Sequence, residues 1–370
     1  MSVHPPADTA AEPELDALYR DLDAAGLRPL WTITEQLLTP EPRPRAVPWL
    51  WRGATMRPLA ERAIRLVPVE RGGERRVLSL ANPGLGGRPY AAGTLWGALQ
   101  CLGPRESAPA HRHTPGAIRF VLAGRGVWTT VDGDACDMGP GDLVLTPAKA
   151  WHDHSNGGDS DMFWFDGLDL PMIEALDGIF FEQHPELNQP VRGEHNRSEA
   201  AHAGVPAERR MADGAVRSAL DPEPSPLLVY RWADTDARLT RLAEAEAAGG
   251  GMVSAEFTNP RSGASVLPTL ACTAHRLVPG AASPPVRRSG NTVYVVFRGS
   301  GSSVIAGRRF DWTSGDMFVV PSWAAAEHRA EGGQADLFSL SDTPVLRALG
   351  IYREETLAVP QEVTGVFEPA

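Results

Sequence analysis

The chain has 370 residues, 42% of them hydrophobic, and a formal net charge of −11. This length allows two domains of ordinary size and the composition supplies their cores, which excludes bulk disorder. The negative charge excludes nucleic acid or an anionic membrane as a general partner and leaves any anionic ligand to local arginines.

Residues 1–12 read as an Ala/Pro-rich tail, after which Leu15, Leu18, Tyr19 and Leu22 fall at helical spacing with Gly26 as a stop. Trp31, Trp49 and Trp51 stand among prolines, and residues 40–48 are expected to be irregular. Strands are predicted over Arg75–Ala81 and Thr94–Cys101, with a turn at Asn82–Gly87 between them. Short β runs then follow at Ile118–Leu122, Val127–Val131, Leu143–Thr146 and Met162–Phe165, the second ending in an Asp132-Gly133 turn. Thirty-seven glycines and 33 prolines without a collagen period fit such a turn-rich β chain. Residues 171–182 are expected to be helical from Pro171, residues 186–226 to form a linker, and residues 235–247 a second helix ended by Gly249-Gly250-Gly251.

Two motifs carry the chemistry. His111-Arg112-His113 begins a segment closed by Gly124, and Gly141-Asp142 leads through Pro147 to His152, His154 and Asn156. Residues i and i+2 of a strand share a face, so His111 and His113 can aim two imidazoles into a barrel where His152 arrives from another strand. Three inward histidines make a metal site with open positions. An isolated H-x-H pair is more often surface or core than ligand; the third histidine in its G-x5-P-x4-H-x3-N frame favours the ligand reading. His154 reads as a pocket residue or an exposed histidine, Arg119 as a substrate-facing group or a rim ion pair, Asp166 as an acid or a strand-end cap, and Arg75 as a clamp or a surface charge. Trp96 and Gln100 share parity on one strand, and core packing explains Trp96 nearly as well.

The second half repeats this text. Val293–Gly301 parallels Ile118–Gly126, and Gly315–Trp323 parallels Gly141–Lys149, the mark of an internal duplication of a whole domain. Counting from the shared Gly and Pro positions, Val286, Arg288 and Ala326 replace His111, His113 and His152, while His328 matches His154. The second copy is expected to hold no metal in this manner and to serve a structural role.

These motifs are those of the cupin superfamily, and the chain resembles the bicupin gentisate/salicylate-type 1,2-dioxygenases over about residues 30 to 355. The resemblance rests on Ala108–Thr114, Arg119-Phe120, Trp151–Asn156 and Asp166–Pro171, and in the second half on Thr292–Val296, Phe318–Trp323 and Phe338–Val345. It implies a mainly β, bicupin fold of two jelly-roll β-barrels with additional N-terminal and linker helices. Residues 1–90 form an N-terminal helical and extended region packed on the barrels, 91–170 the metal-bearing barrel, 171–250 a helical linker, and 251–370 a second barrel without metal ligands. Ala117 stands where many cupins carry a glutamate ligand, which leaves a three-histidine site.

The resemblance further implies an Fe(II)-dependent, extradiol-type enzyme that inserts O2 between the carboxyl-bearing and hydroxyl-bearing carbons of a 2-hydroxybenzoate. Gentisate, giving maleylpyruvate, is the expected substrate; 5-substituted salicylates such as 5-nitrosalicylate, salicylate itself and 1-hydroxy-2-naphthoate are alternatives. His111, His113 and His152 are the implied ligands. Arg119 and Arg75 clamp the carboxylate, His154 sits beside the substrate oxygen with Asp166 orienting it or moving protons, and Trp96, Ala98 and Gln100 line the pocket. Zinc lacks the redox chemistry this requires. Ala98 stands where salicylate-accepting relatives are expected to have glycine, and Lys149 replaces a small residue between Pro147 and Trp151. A metal-binding sensor or a cupin isomerase working without oxygen are the readings from other classes. Homotetramers are implied by the family. Cys101, Cys136 and Cys272 form neither a disulfide framework nor a zinc pattern, so the expected compartment is a reducing cytoplasm. No signal design or membrane-length apolar run is read in the chain.

Overall fold

The computed structural model describes residues 12–68, 76–203, 223–245, 251–280 and 282–368. No helix among the described residues is long and apolar enough to cross a membrane. The described residues up to Arg43 form one compact unit and those from Pro44 onward another. In the first, the helix Glu12–Ala24 carries Glu12 and Glu14 in its first turn, where the helix dipole favours anions, and the chain turns at Gly26 with φ of +70°. A 3-10 turn at Leu30–Thr32 and the short helix Thr34–Leu37 follow.

The second unit is built from four antiparallel-rich sheets. One barrel pairs a six-stranded sheet, in the order Val229–Tyr230, Leu143–Thr146, Ala117–Ala123, Met162–Leu168, Trp96–Leu102 and Val77–Ser79, with a five-stranded sheet of Phe181–Gln183, Ser107–His113, His152–Asn156, Val127–Val131 and Asp134–Asp137. The other repeats this arrangement with Trp49–Trp51, Met317–Val320, Thr292–Arg298, Ala335–Ser341, Ala271–Leu277 and Met252–Phe257 in one sheet. Its second sheet is Glu354–Thr356, Val286–Arg288, Ala326–Ala330, Ser300–Ile305, Arg308–Thr313 and Gly365–Val366.

Strand alternation sorts the residues of each barrel into two cores. Ile118, Phe120, Phe163 and Phe165 face outward from the six-stranded sheet and join Val293, Val295, Phe338 and Leu340 of the other barrel in one buried cluster. The rings of Phe120 and Phe338 stack at 4.3 Å. The opposite parity, Val121, Met162 and Trp164, faces inward and packs with Val127 and Cys136 of the facing sheet. The barrels therefore share a back-to-back apolar layer, and each keeps its own interior.

Each barrel also borrows a strand. Trp49–Trp51 precedes the first barrel in sequence but pairs with Met317–Val320 of the second, Leu50 opposite Phe318. Val229–Tyr230 precedes the second barrel but pairs with Leu143–Thr146 of the first, Val229 opposite Val144. The aspartate of each Gly-Asp repeat anchors the borrowed strand: Asp316 accepts from Arg52 Nη1 at 3.0 Å and Gly53 N at 2.7 Å, and Asp142 from Arg231 Nη1 at 2.8 Å and Trp232 N at 2.9 Å. Two further aspartates cross between the barrels. Asp169 accepts from Gly116 N at 2.9 Å and Thr269 Oγ1 at 2.5 Å, while Asp342 accepts from Asn291 N at 2.9 Å and from the Thr94 hydroxyl.

The structure differs from the sequence reading at several elements. The helix expected over residues 171–182 spans only Leu170–Ala175, because Asp177 adopts φ of +54° and Phe181–Gln183 is taken up as an edge strand opposite His111–His113. A helix not expected from sequence, Gly53–Leu66, survives Pro58 by burying Met56 and Ala60. The second linker helix spans Trp232–Ala245; the glycines expected to end it, Gly249 and Gly250, lie outside the described residues. A short helix, Arg197–His202, occupies part of the expected linker.

Candidate metal centre and substrate pocket

His111 and His113 lie at alternate positions of Ser107–His113, and register places His111 opposite His152 on the neighbouring strand. The ligand atoms of the three rings lie within 4.8 Å of one another, and among the described residues this is the group of three that can hold a metal ion. Each Nδ1 contacts a backbone carbonyl: His111 with Pro109 at 2.8 Å, His113 with Pro115 at 2.8 Å and His152 with Ala150 at 3.0 Å. A neutral ring that donates from Nδ1 keeps its lone pair on Nε2, the arrangement a metal ligand needs. Burial, with the neighbouring imidazoles and Arg119, lowers His113 to about 4 and His152 well below the ordinary histidine range, so both rings are neutral near pH 7. His152 Nε2 is buried without a hydrogen-bond partner. An orphaned lone pair at the meeting point of three imidazoles fits a bound cation, which would satisfy it.

Lys149 has a backbone role here. It adopts φ of +65°, and its amide donates to the His113 carbonyl at 2.7 Å while its side chain is exposed. Asn156, the last residue of the motif, donates from Nδ2 to the carbonyls of Gly103 at 2.8 Å and Ser160 at 2.9 Å, tying the end of the ligand strand to two loops.

A cavity of about 290 Å³ opens beside the triad, lined by Val77, Trp96, Gln100, Ala108, His111, His113, Ala117, Arg119, His152, His154, Asp166 and Leu168. At about 30 Å³ per water it holds the volume of roughly ten waters, room for a single substituted ring. Strand pairing fixes its polar wall: Asp166 stands between Arg119 on one neighbour and Ala98 on the other. Arg119 is 2% exposed, its Nη1 donates to the Thr146 hydroxyl, and its Nε lies 3.9 Å from Asp166 Oδ1. Arg119 Nε, Asp166 Oδ1 and Trp164 Nε1 are all buried without a hydrogen-bond partner. Burial, partly opposed by Arg119, raises Asp166 to about 6. His154 is held at Nδ1 by Thr129 Oγ1 at 2.9 Å, and burial, Arg119 and His111 lower it well below the usual range, leaving a neutral ring.

Most of the sequence-selected residues thus meet in one cavity. Ala98 shares the strand face of Trp96 and Gln100 but is fully buried opposite Asp166 and is not among the lining residues. Arg75 lies outside the described residues. Sequence reading missed Val77, two positions beyond Arg75 in the strand predicted over Arg75–Ala81, where parity alone would have found it. It also missed Phe181, whose ring stacks on His111 at 5.3 Å, because that residue was assigned to a helix.

Comparison with known proteins agrees with this construction. A family model described as a cupin domain matches residues 98–168. A gentisate 1,2-dioxygenase of Streptomyces sp is 46% identical over 348 residues, covering 92% of this chain and 94% of that protein. A 5-aminosalicylate 1,2-dioxygenase of Comamonas sp is 38% identical, covering 98% and 96%. The crystal structure of a salicylate 1,2-dioxygenase from Pseudaminobacter salicylatoxidans superposes with a TM-score of 0.84 at 41% identity, covering 95% of this chain and 99% of that one. With such relatives matched over nearly their whole length, two jelly-roll barrels and a histidine triad in the first, the chain belongs to the bicupin gentisate/salicylate-type 1,2-dioxygenase family.

Proposed function

We propose that the protein is an Fe(II)-dependent ring-cleaving dioxygenase that inserts both atoms of O2 between the carboxyl-bearing and hydroxyl-bearing carbons of gentisate, giving maleylpyruvate. The observation that carries this reading is the convergence of three imidazoles on the same cavity as a buried arginine and a carboxyl group. Ala117 lines the cavity where a glutamate ligand would add negative charge. A divalent ion on neutral ligands keeps its full charge and an open face, which favours chelation by the carboxylate and phenolate of a 2-hydroxybenzoate. When bound, iron supplies the redox contact between ring and oxygen that neither the side chains nor a zinc ion provide.

The chain's own residues bind and orient. Arg119 offers a fixed fork of donors to a planar carboxylate, and its unpartnered Nε is one of them. Arg75 would supply a second guanidinium. His154 would hold the substrate oxygen, and Asp166 would take or return a proton near its raised pKa of about 6. Trp96 and Gln100 would set the ring's position, with Ala98 behind Asp166 limiting its depth. Gentisate's second hydroxyl, para to the first, releases electron density into the ring when deprotonated. An amino group at the same ring position also releases electrons, so a 5-aminosalicylate activity would share this site. We further propose that the subunits assemble as homotetramers in the cytoplasm.

The test is oxygen uptake by freshly iron-loaded protein with gentisate, 5-aminosalicylate, 5-nitrosalicylate, salicylate and 1-hydroxy-2-naphthoate. Gentisate should consume one O2 per molecule with the highest kcat/KM. Turnover without oxygen, or none with any of the five, would refute the assignment.

A further inference from the structure

The register of the two barrels matches their interiors residue by residue. Arg119 stands between Asp166 and Val144, and Tyr294 between Ser339 and Phe318; Thr129 faces His154 as Ser303 faces His328; Ala98 faces Asp166 as Thr273 faces Ser339, which aligns Gln100 with His275. Phe181 opposes His113 as Glu354 opposes Arg288. The second interior therefore carries Arg288, Tyr294, His275, His328 and Ser339 where the first carries His113, Arg119, Gln100, His154 and Asp166.

This set is more polar than a purely structural barrel requires. Tyr294 is 6% exposed and His328 4%, their rings 4.9 Å apart, with the His275 ring 5.7 Å from Tyr294. His275 is satisfied at both nitrogens, by Ser254 at 2.7 Å and Ser339 at 2.8 Å. The Tyr294 hydroxyl and His328 Nε2 have no hydrogen-bond partner among the described residues, and neither belongs to the fully sealed polar atoms, so both stay reachable from open space. The Ser303 hydroxyl accepts from Trp312 Nε1 at 2.8 Å and lies 2.8 Å from His328 Nδ1. With the serine proton given to Nδ1, a neutral His328 presents an N–H to the interior. Burial and the charge of Arg288 keep this ring neutral by lowering it to about 4. Arg288 lies on the edge of the second barrel's sheet beside Glu354–Thr356, its Nε 3.4 Å from Glu354 Oε2 with both side chains well exposed, an ion pair weak enough to yield to a ligand.

We propose that the second barrel is a metal-free binding site for a small organic carboxylate, held by Arg288 at the sheet edge and by the Tyr294 hydroxyl and His328 Nε2 inside. Three groups that can each donate suit an anion, and Val286 and Ala326 stand where imidazoles would hold a metal. The proposal does not depend on the substrate assigned to the first barrel.

Benzoate is the probe, because it offers a carboxylate on one ring and cannot chelate a metal through a phenolate. Equilibrium dialysis of the full-length, iron-loaded protein carrying Arg119→Ala, which disables the first pocket's clamp, should still bind one benzoate per chain. Adding Tyr294→Phe, or Arg288→Ala, should weaken that binding about tenfold or more. Tyr294→Phe removes a single oxygen that has no hydrogen-bond partner among the described residues, so the fold survives it, and in the otherwise wild-type enzyme it should leave gentisate turnover unchanged. Absence of bound benzoate in the Arg119→Ala protein, or binding untouched by Tyr294→Phe and Arg288→Ala, would overturn the proposal.

Discussion

Replacing Arg119 by alanine separates the two halves of the proposed site. The guanidinium is not a metal ligand, so the Arg119→Ala protein should keep the iron content of the wild type. Its loss removes a charge-assisted hydrogen bond to the substrate carboxylate, worth about 1.5 to 3 kcal/mol, or roughly a 10- to 150-fold fall in kcat/KM. If the clamp acts equally on bound substrate and transition state, the fall appears mainly in KM. Arg119 is also the one group that offsets the burial of Asp166, so the acid limb of the pH profile should move above its wild-type position near pH 6. Arg119→Lys keeps the charge but not the fork and should recover the pH limb more fully than the affinity. Steady-state kinetics by oxygen uptake across pH, with iron measured on the same preparations, reads all three. A kcat/KM within twofold of wild type at every pH would reduce Arg119 to a partner of Thr146 and refute its substrate role.

Asp166→Asn should flatten the limb near pH 6 in the same assay. Its effect on stability has a fixed sign: because the native pKa is raised from 3.8 to about 6, the unfolded chain ionises first, and wild-type stability falls relative to the variant as pH rises from 4 to 6. The fall approaches about 3 kcal/mol and is flat above pH 7, which denaturant midpoints of metal-free protein can check. Asp342→Ala leaves the Asn291 amide and the Thr94 hydroxyl without their acceptor at the barrel junction, and should cost about 2 to 4 kcal/mol in unfolding with iron content unchanged. Gly141→Ala would place a methyl carbon 2.5 Å from Trp232 Cγ at a φ of +87°, and should lower the melting temperature by several degrees.

The sequence announced the chemistry more fully than the architecture. His111, His113 and His152 could be placed on one site from strand parity and motif spacing, because a period of two fixes which side chains share a face, while His154, Arg119 and Asp166 were joined to it through the family resemblance. The Gly-Asp pairs were legible as repeats but not as anchors, since Asp142 and Asp316 take their donors from Arg231 and Arg52, about 90 and 260 residues away in the chain. The crossed strands Trp49–Trp51 and Val229–Tyr230 are too short for any periodicity to reveal them, and their partners lie in the other repeat. Residues 176–182 misled for a related reason: their apolar content suits a helix, but the open edge beside His111–His113 captures Phe181–Gln183 as a strand. Asp169 and Asp342 stood inside recognisable motifs, yet their function of holding Thr269 and Thr94 across the barrel junction depends wholly on tertiary contact.

The most direct test of the central claim is metal content per chain, measured with oxygen uptake on the same iron-loaded samples of wild type and His113→Ala. The account predicts one iron per wild-type chain, and little iron and no gentisate-dependent uptake in His113→Ala. Two irons per chain, or an iron-replete His113→Ala protein of normal rate, would contradict it.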